Sequence, residues 1–216
     1  MAGTSYWYVT AAPPDRLARF GSSIRAHVDA FTADAGAHQA YVEWGHNPES
    51  VHGPDGRGRQ SSPSAERLVD AFRRAEIPEA ELLGYAVAET EDHTWDLGAQ
   101  ERPNPVEGLF AAVAGVPVAS ILHVGLGPQR AAWLPGVLGV FSIAPGRVPE
   151  TAELVRKAHA LSPFDRSAAL ERMHDWLGLG HDHGYPVHHL LEALPEVFGH
   201  AAASGLGVFG VTGASQ

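Results

Sequence analysis

Val187, Leu190, Leu191, Leu194, Val197, Phe198 and Ala201 recur three or four places apart near the end of the chain. That period gathers them on one face of a helix, and such a face must be buried against another element. Gly205 supplies a helix stop, and 206–212, rich in apolar and β-branched side chains, reads as a closing strand. Upstream, Leu170, Met173 and Leu177 form the inward stripe of a preceding helix flanked by Trp176, and a Gly- and His-rich turn joins the two. The stretch 170–210 therefore demands both a sheet for its strand to join and a core for two helical faces.

The rest of the chain fits that demand. Residues 5–10 are aromatic and β-branched and read as a first strand; Pro13 and Pro14 then suit the first turn of a helix, where a missing N–H costs nothing. Leu17, Phe20, Ile24, Val28 and Phe31 give that helix its apolar face, and Gly21-Ser22-Ser23 can divide it into two short helices. A short second strand is expected at 41–44, a helix at 62–75 facing inward through Leu68, Val69 and Phe72, a weak strand at 84–90, a short helix at 105–114, and buried strands at 118–125 and 137–144. Helices follow at 149–161, with Pro149 and Glu150 in the first turn, and from Ser162-Pro163; Pro195 inside the last helix marks a kink or break. With no internal repeat and no interdomain linker, the expectation is a single α+β domain over 1–216. Five or six helices cover a mixed or antiparallel sheet, and long loops lie at 45–62 and 91–104.

Composition narrows the classes of function. A chain of 216 residues buries roughly 70% of its unfolded surface and needs no staples. It has no Cys, so disulfides, thiolate metal sites and Cys nucleophiles are excluded. A net charge of −10 with scattered basic residues argues against nucleic acid as a partner. Residues 1–8 lack a signal-peptide pattern and the apolar runs are too short for a membrane span, so no membrane association and a cytoplasmic location are expected.

Several stretches together resemble one family. An aromatic strand leading into a Pro-opened helix at 6–17, helices at 148–161 and 163–177, the turn Tyr185-Pro186, a long helix at 187–204 and an apolar strand at 206–211 resemble the YfbM-like family of uncharacterised bacterial proteins. The likeness covers the first twenty residues and about the last third of the chain. It implies an α+β fold and transfers no catalytic residue.

Complete catalytic signatures are missing. The glycines at 53–58 lack a framing strand and a Gly-Lys-Ser/Thr, Gly125-Leu126-Gly127 lacks the dinucleotide fingerprint, and no Gly-x-Ser-x-Gly occurs. What remains is histidine. His181, His183, His188 and His189 place four imidazoles within nine residues, a spacing that permits a site for zinc or another divalent metal, which needs three or four convergent ligands. On an unbroken last helix His189, Glu192, Glu196 and His200 share a stripe that would suit a mixed imidazole and carboxylate site, as would the solvated face of any amphipathic helix. His159, Glu171, His174 and Asp175 are further acid–base candidates. Glu43-Trp44-Gly45-His46 and Asp92-His93-Thr94-Trp95-Asp96 each join an acid, a His and a Trp beside a loop, a composition suited to recognition. The leading expectation is an acidic cytoplasmic bacterial protein that binds a protein partner, as an immunity-type or regulatory module, through Trp44, His46, His93 and Trp95. The alternative is an enzyme or small-molecule binder with a His-lined site around 180–200, with or without a divalent metal.

Overall fold

The computed structural model describes residues 4–51, 62–78, 108–178 and 187–215. At the centre of its sheet lies β1 (Thr4–Ala12), antiparallel to β3 (Gly108–Ala114) on one side and to β5 (Gly207–Ala214) on the other. The far edge of β5 is shared end to end by antiparallel β4 (Phe141–Ile143) and parallel β2 (Ile77–Pro78), so the sheet is mixed. Around it, among the described residues, stand eight α-helices. They are α1 (Pro14–Thr32), α2 (Ala35–His46), α3 (Pro63–Arg74), α4 (Val118–Leu126), α5 (Pro128–Ala131), α6 (Val148–Ala158), α7 (Pro163–Leu177) and α8 (His188–Ser204). The expected α+β class and mixed sheet hold, with more helices than the five or six foreseen. None of the described helices is long and apolar enough to cross a membrane.

Both faces of β1 are used, because its side chains alternate. On the face carrying Trp7 and Val9, the indole Nε1–H donates to the Gly139 carbonyl at 2.9 Å. On that same face Phe141 meets Phe198 of α8 at 5.8 Å between centroids. On the opposite face Tyr8 and Phe20 of α1 both pack on Phe209, at 5.9 and 6.0 Å. Burial of such large aromatics supplies much of the stabilisation, and truncating one to Ala costs roughly 3–5 kcal/mol.

Four local expectations change. Residues 41–44 lie inside α2, because Asp34 accepts from Gly36 N–H (2.9 Å) and Ala37 N–H (3.1 Å) and so caps a helix whose inward face is Ala37, Ala40 and Trp44. Residues 118–125 also form a helix: α4 is buried all round, Ser120 and His123 included, and a run buried at every position carries no periodicity to tell helix from strand. Gly125 lets α4 press on α7, since a Cβ there would lie 2.3 Å from Met173 Cγ. Of the expected helix at 105–114, the described part, 108–114, is the strand β3, whose Leu109, Ala111 and Val113 alternate inward against β1. Of the 137–144 strand only 141–143 pairs with β5; Val137 and Val140 close a tight turn on each other through hydrogen bonds of 3.0 and 2.9 Å. Leu138 and Gly139 take positive φ of 50° and 92° there, as a mirror-type hairpin turn requires, and this aims the Gly139 carbonyl at Trp7.

Two doubtful breaks are absent. α1 runs unbroken through Gly21-Ser22-Ser23, and α8 continues through Pro195. The expected loop at 45–62 begins as the end of α2 and a 3-10 turn at Pro48–Val51. The expected strand at 84–90 and loop at 91–104 fall outside the described residues.

Candidate functional site

The end of α3 meets the end of α1 beside the 137–140 turn, and the two do not close on each other. A cavity of about 210 Å³ is left there, walled by Val28, Phe31, Ile77, Val137 and Val140, with His27, Asp34, Arg74 and Glu76 as its polar side chains. The apolar residues come from α1's inward face, from β2 and from the tight turn; the charged ones cluster where helices end.

Charges at the cavity are unequal in how they are met. Arg74 Nη1 donates to both Asp34 oxygens, at 2.8 and 3.1 Å, while Asp34 also caps α2. That hydrogen bond first, helped by the backbone N–H groups, holds the Asp34 carboxyl below the usual range, and the same contact raises Arg74. The pair is self-contained and sits at the surface. Glu76 is different. Its Oε1 accepts from the Ser5 hydroxyl, and Ser5 Oγ in turn accepts from Val118 N–H (3.1 Å) at the start of α4. Among the described residues no hydrogen bond reaches Oε2. Burial pushes the Glu76 carboxyl up to about 7, against smaller opposing effects from the Ser5 bond and the Arg73 charge. A carboxyl that holds or yields its proton near neutral pH, next to a void, can bind a cation or pass a proton.

The residues expected from sequence scatter. Trp44 is 2% exposed and packs edge-on against Tyr41 at 5.2 Å, so its indole belongs to the core and offers no contact surface. His46, two residues on, is exposed and bonds through Nδ1 to the Val42 carbonyl at 2.8 Å. His93, Trp95, His181 and His183 lie outside the described residues. His188 and His189 are stacked edge to face at 4.2 Å, His188 exposed and His189 half-buried. Among the described residues no three His, Asp or Glu side chains converge to hold a metal. The stripe on α8 is not a ligand set: Glu192 is taken by Arg166 of α7 at 2.6 Å. His159 turns inward instead, its Nδ1–H donating to the Val155 carbonyl at 2.8 Å, and burial lowers it to about 4.

Sequence reasoning missed two groups. His123 sits in α4 at 5% exposure, with its Nδ1 3.1 Å from the Tyr41 hydroxyl and the Phe72 ring edge-on at 5.1 Å. Burial lowers it to about 3 and raises Tyr41, so both stay neutral at physiological pH. Glu76 stood in no motif; its one signal is an acid between Ala75 and Ile77, where the chain passes from helix to strand. Comparison of the chain with protein-family models, curated proteins and solved structures found no match.

Proposed function

We propose that the chain binds a small organic ligand in the cavity between α1, α3 and the 137–140 turn, with Glu76 as its anchoring group. The supporting observation is a void of about 210 Å³ beside a half-buried carboxyl that has a single hydrogen-bond partner among the described residues. The cavity is partly open to solvent, and a concave site in which apolar side chains meet a few convergent polar groups is the usual character of a ligand site. The size falls below the roughly 300–1,000 Å³ of drug-sized pockets, so the ligand is small. This is the small-molecule alternative, placed at the C-terminal end of α3 in place of residues 180–200. Chemical-shift mapping with fragments of about ten heavy atoms or fewer tests it. Shifts are expected at residues 27–34, 74–77 and 137–140, and they should vanish in Ala30→Phe, where an exposed lining residue is enlarged to block the cavity. Shifts that survive Ala30→Phe, or none at these positions, would remove the proposal.

A protein-partner reading keeps one supporting observation. Phe164, in the first turn of α7, is 82% exposed, the most of any large apolar side chain among the described residues, and exposed aromatics often anchor interfaces. If it serves as an anchor, Phe164→Ser abolishes partner capture while leaving the melting temperature in place. The acidic, cysteine-free composition and the YfbM-like resemblance support a cytoplasmic bacterial setting for either reading.

A further inference from the structure

We infer that the ligand of this cavity is a small organic ammonium ion, a primary amine on a ring-sized apolar body, whose nitrogen pairs with the Glu76 carboxylate. The inference rests on the cavity being a ligand site, and it follows from the charges around Glu76 on the described elements that pack there.

From β1 comes Ser5, a neutral donor already spent on Oε1. From α1 come His27, and at the α1–α2 junction Asp34, whose charge is met by Arg74. From α3 come Arg74, held by Asp34, and Arg73, which reaches Asp70 at 3.5 Å and the Gly115 carbonyl at 3.4 Å. The 137–140 turn contributes only Val137 and Val140 to the wall. Among the described residues, the one charge at the cavity without a close counter-ion is therefore negative, that of Glu76 when ionised. An anionic ligand would face that carboxyl with, among the described residues, no cation that is not already engaged, and a neutral ligand would leave it protonated at neutral pH and gain no charge pairing. An ammonium ion supplies what is missing: a positive charge with three donors, of which Oε2 can accept one.

Size and wall chemistry fix the rest of the ligand. A dry cavity of about 150 Å³ accommodates benzene. The site here, partly open to solvent and of about 210 Å³, has room for a ring with a one-carbon arm against Val28, Phe31, Ile77, Val137 and Val140. Benzylamine has this form.

Pairing with an ammonium needs the ionised carboxylate, whereas the empty site holds its proton up to about pH 7 because burial disfavours the charge. Binding below neutral pH must therefore expel one proton, and affinity falls as pH falls. For a carboxyl half-protonated near pH 7, the expected loss is about tenfold between pH 8 and pH 6.

Titration calorimetry on the full chain with benzylamine, benzyl alcohol and benzoate, at pH 8 and pH 6, tests this directly. Benzylamine should bind at least tenfold more tightly than benzyl alcohol at pH 8, weaken about tenfold at pH 6, and release a proton there, seen as a heat that changes with the buffer's ionisation enthalpy. Glu76→Gln should abolish both the amine preference and the pH dependence. The wild-type pH series stands alone should that variant fold poorly. If benzyl alcohol binds in the cavity as tightly as benzylamine, or benzoate binds best, the ammonium inference is overturned while the cavity remains a ligand site. If none of the three binds there, the ammonium inference falls, and the ligand-site reading is decided by the fragment mapping and Ala30→Phe.

Discussion

Glu76 and His123 are two ionisable side chains displaced from their usual proton affinity by the same cause, burial, and they have opposite meanings. His123 is enclosed. Its ring meets Tyr41 and Phe72 edge-on, its Nδ1 lies 3.1 Å from the Tyr41 hydroxyl, and it lines no cavity described here. Glu76 stands at the edge of the core, held among the described residues by Ser5 alone, and opens on about 210 Å³ of space. A perturbed titratable group is a functional candidate only where something can reach it. His123 has become part of the packing; Glu76 has not.

The comparison breaks most visibly at His123. His123→Asp places a carboxylate among aromatic rings with no cation to meet it, and urea denaturation at pH 7 should show a loss of about 3–5 kcal/mol or no folded protein. A loss under 1 kcal/mol would mean that water reaches the ring and that the enclosure described here is wrong.

Glu76 should respond in the other direction. Its folded value of about 7 lies above the ordinary 4.5, so the folded chain holds a proton that the unfolded chain gives up. The stability this contributes is full below pH 4.5 and is lost as pH rises through 7. Glu76→Gln has no such loss and should exceed the wild type by about 1–2 kcal/mol at pH 8, after allowance for partial exposure, with the gap closing towards pH 4.5. The signs reverse for His123 and His159, lowered to about 3 and about 4. Their contribution is full above pH 6.5 and is lost as pH falls through the acid range. Opposite slopes from the two regions, measured in one series of melts, would sharpen the comparison; parallel slopes would dissolve it.

The smallest effect belongs to the hydroxyl that completes the histidine enclosure. Tyr41→Phe keeps the ring and removes the partner of His123 Nδ1, for a cost of about 1 kcal/mol by denaturant melt at neutral pH. No change would show that this contact carries no net stability.

The frame of this fold was legible where periodicity was strong. The faces of α1, α3, α6 and α8 and the strands β1 and β5 stand close to where spacing and stop signals put them. The errors came where one physical signal carried two meanings. A mostly apolar nonapeptide at α4 fits a buried strand as well as a helix until neighbours choose, and Tyr41 to Trp44 has strand-like residues that the Asp34 cap overrides. The candidate site was harder still. Histidine density drew attention to 181–189, yet convergence is a property of packing, and of those four only His188 and His189 are described, side by side on one helix end. Glu76 matters because α1, α3 and the 137–140 turn leave a gap beside it. No local pattern encodes a gap.

The most direct test of the account is a carbon-13 titration of the Glu76 side-chain carboxyl in glutamate-labelled protein, with Glu76→Gln to assign the signal, alone and saturated with benzylamine. The account predicts a midpoint near pH 7 in the free chain and a fall of at least one pH unit when the amine is bound. A midpoint near the ordinary 4.5, unmoved by the amine, would contradict it.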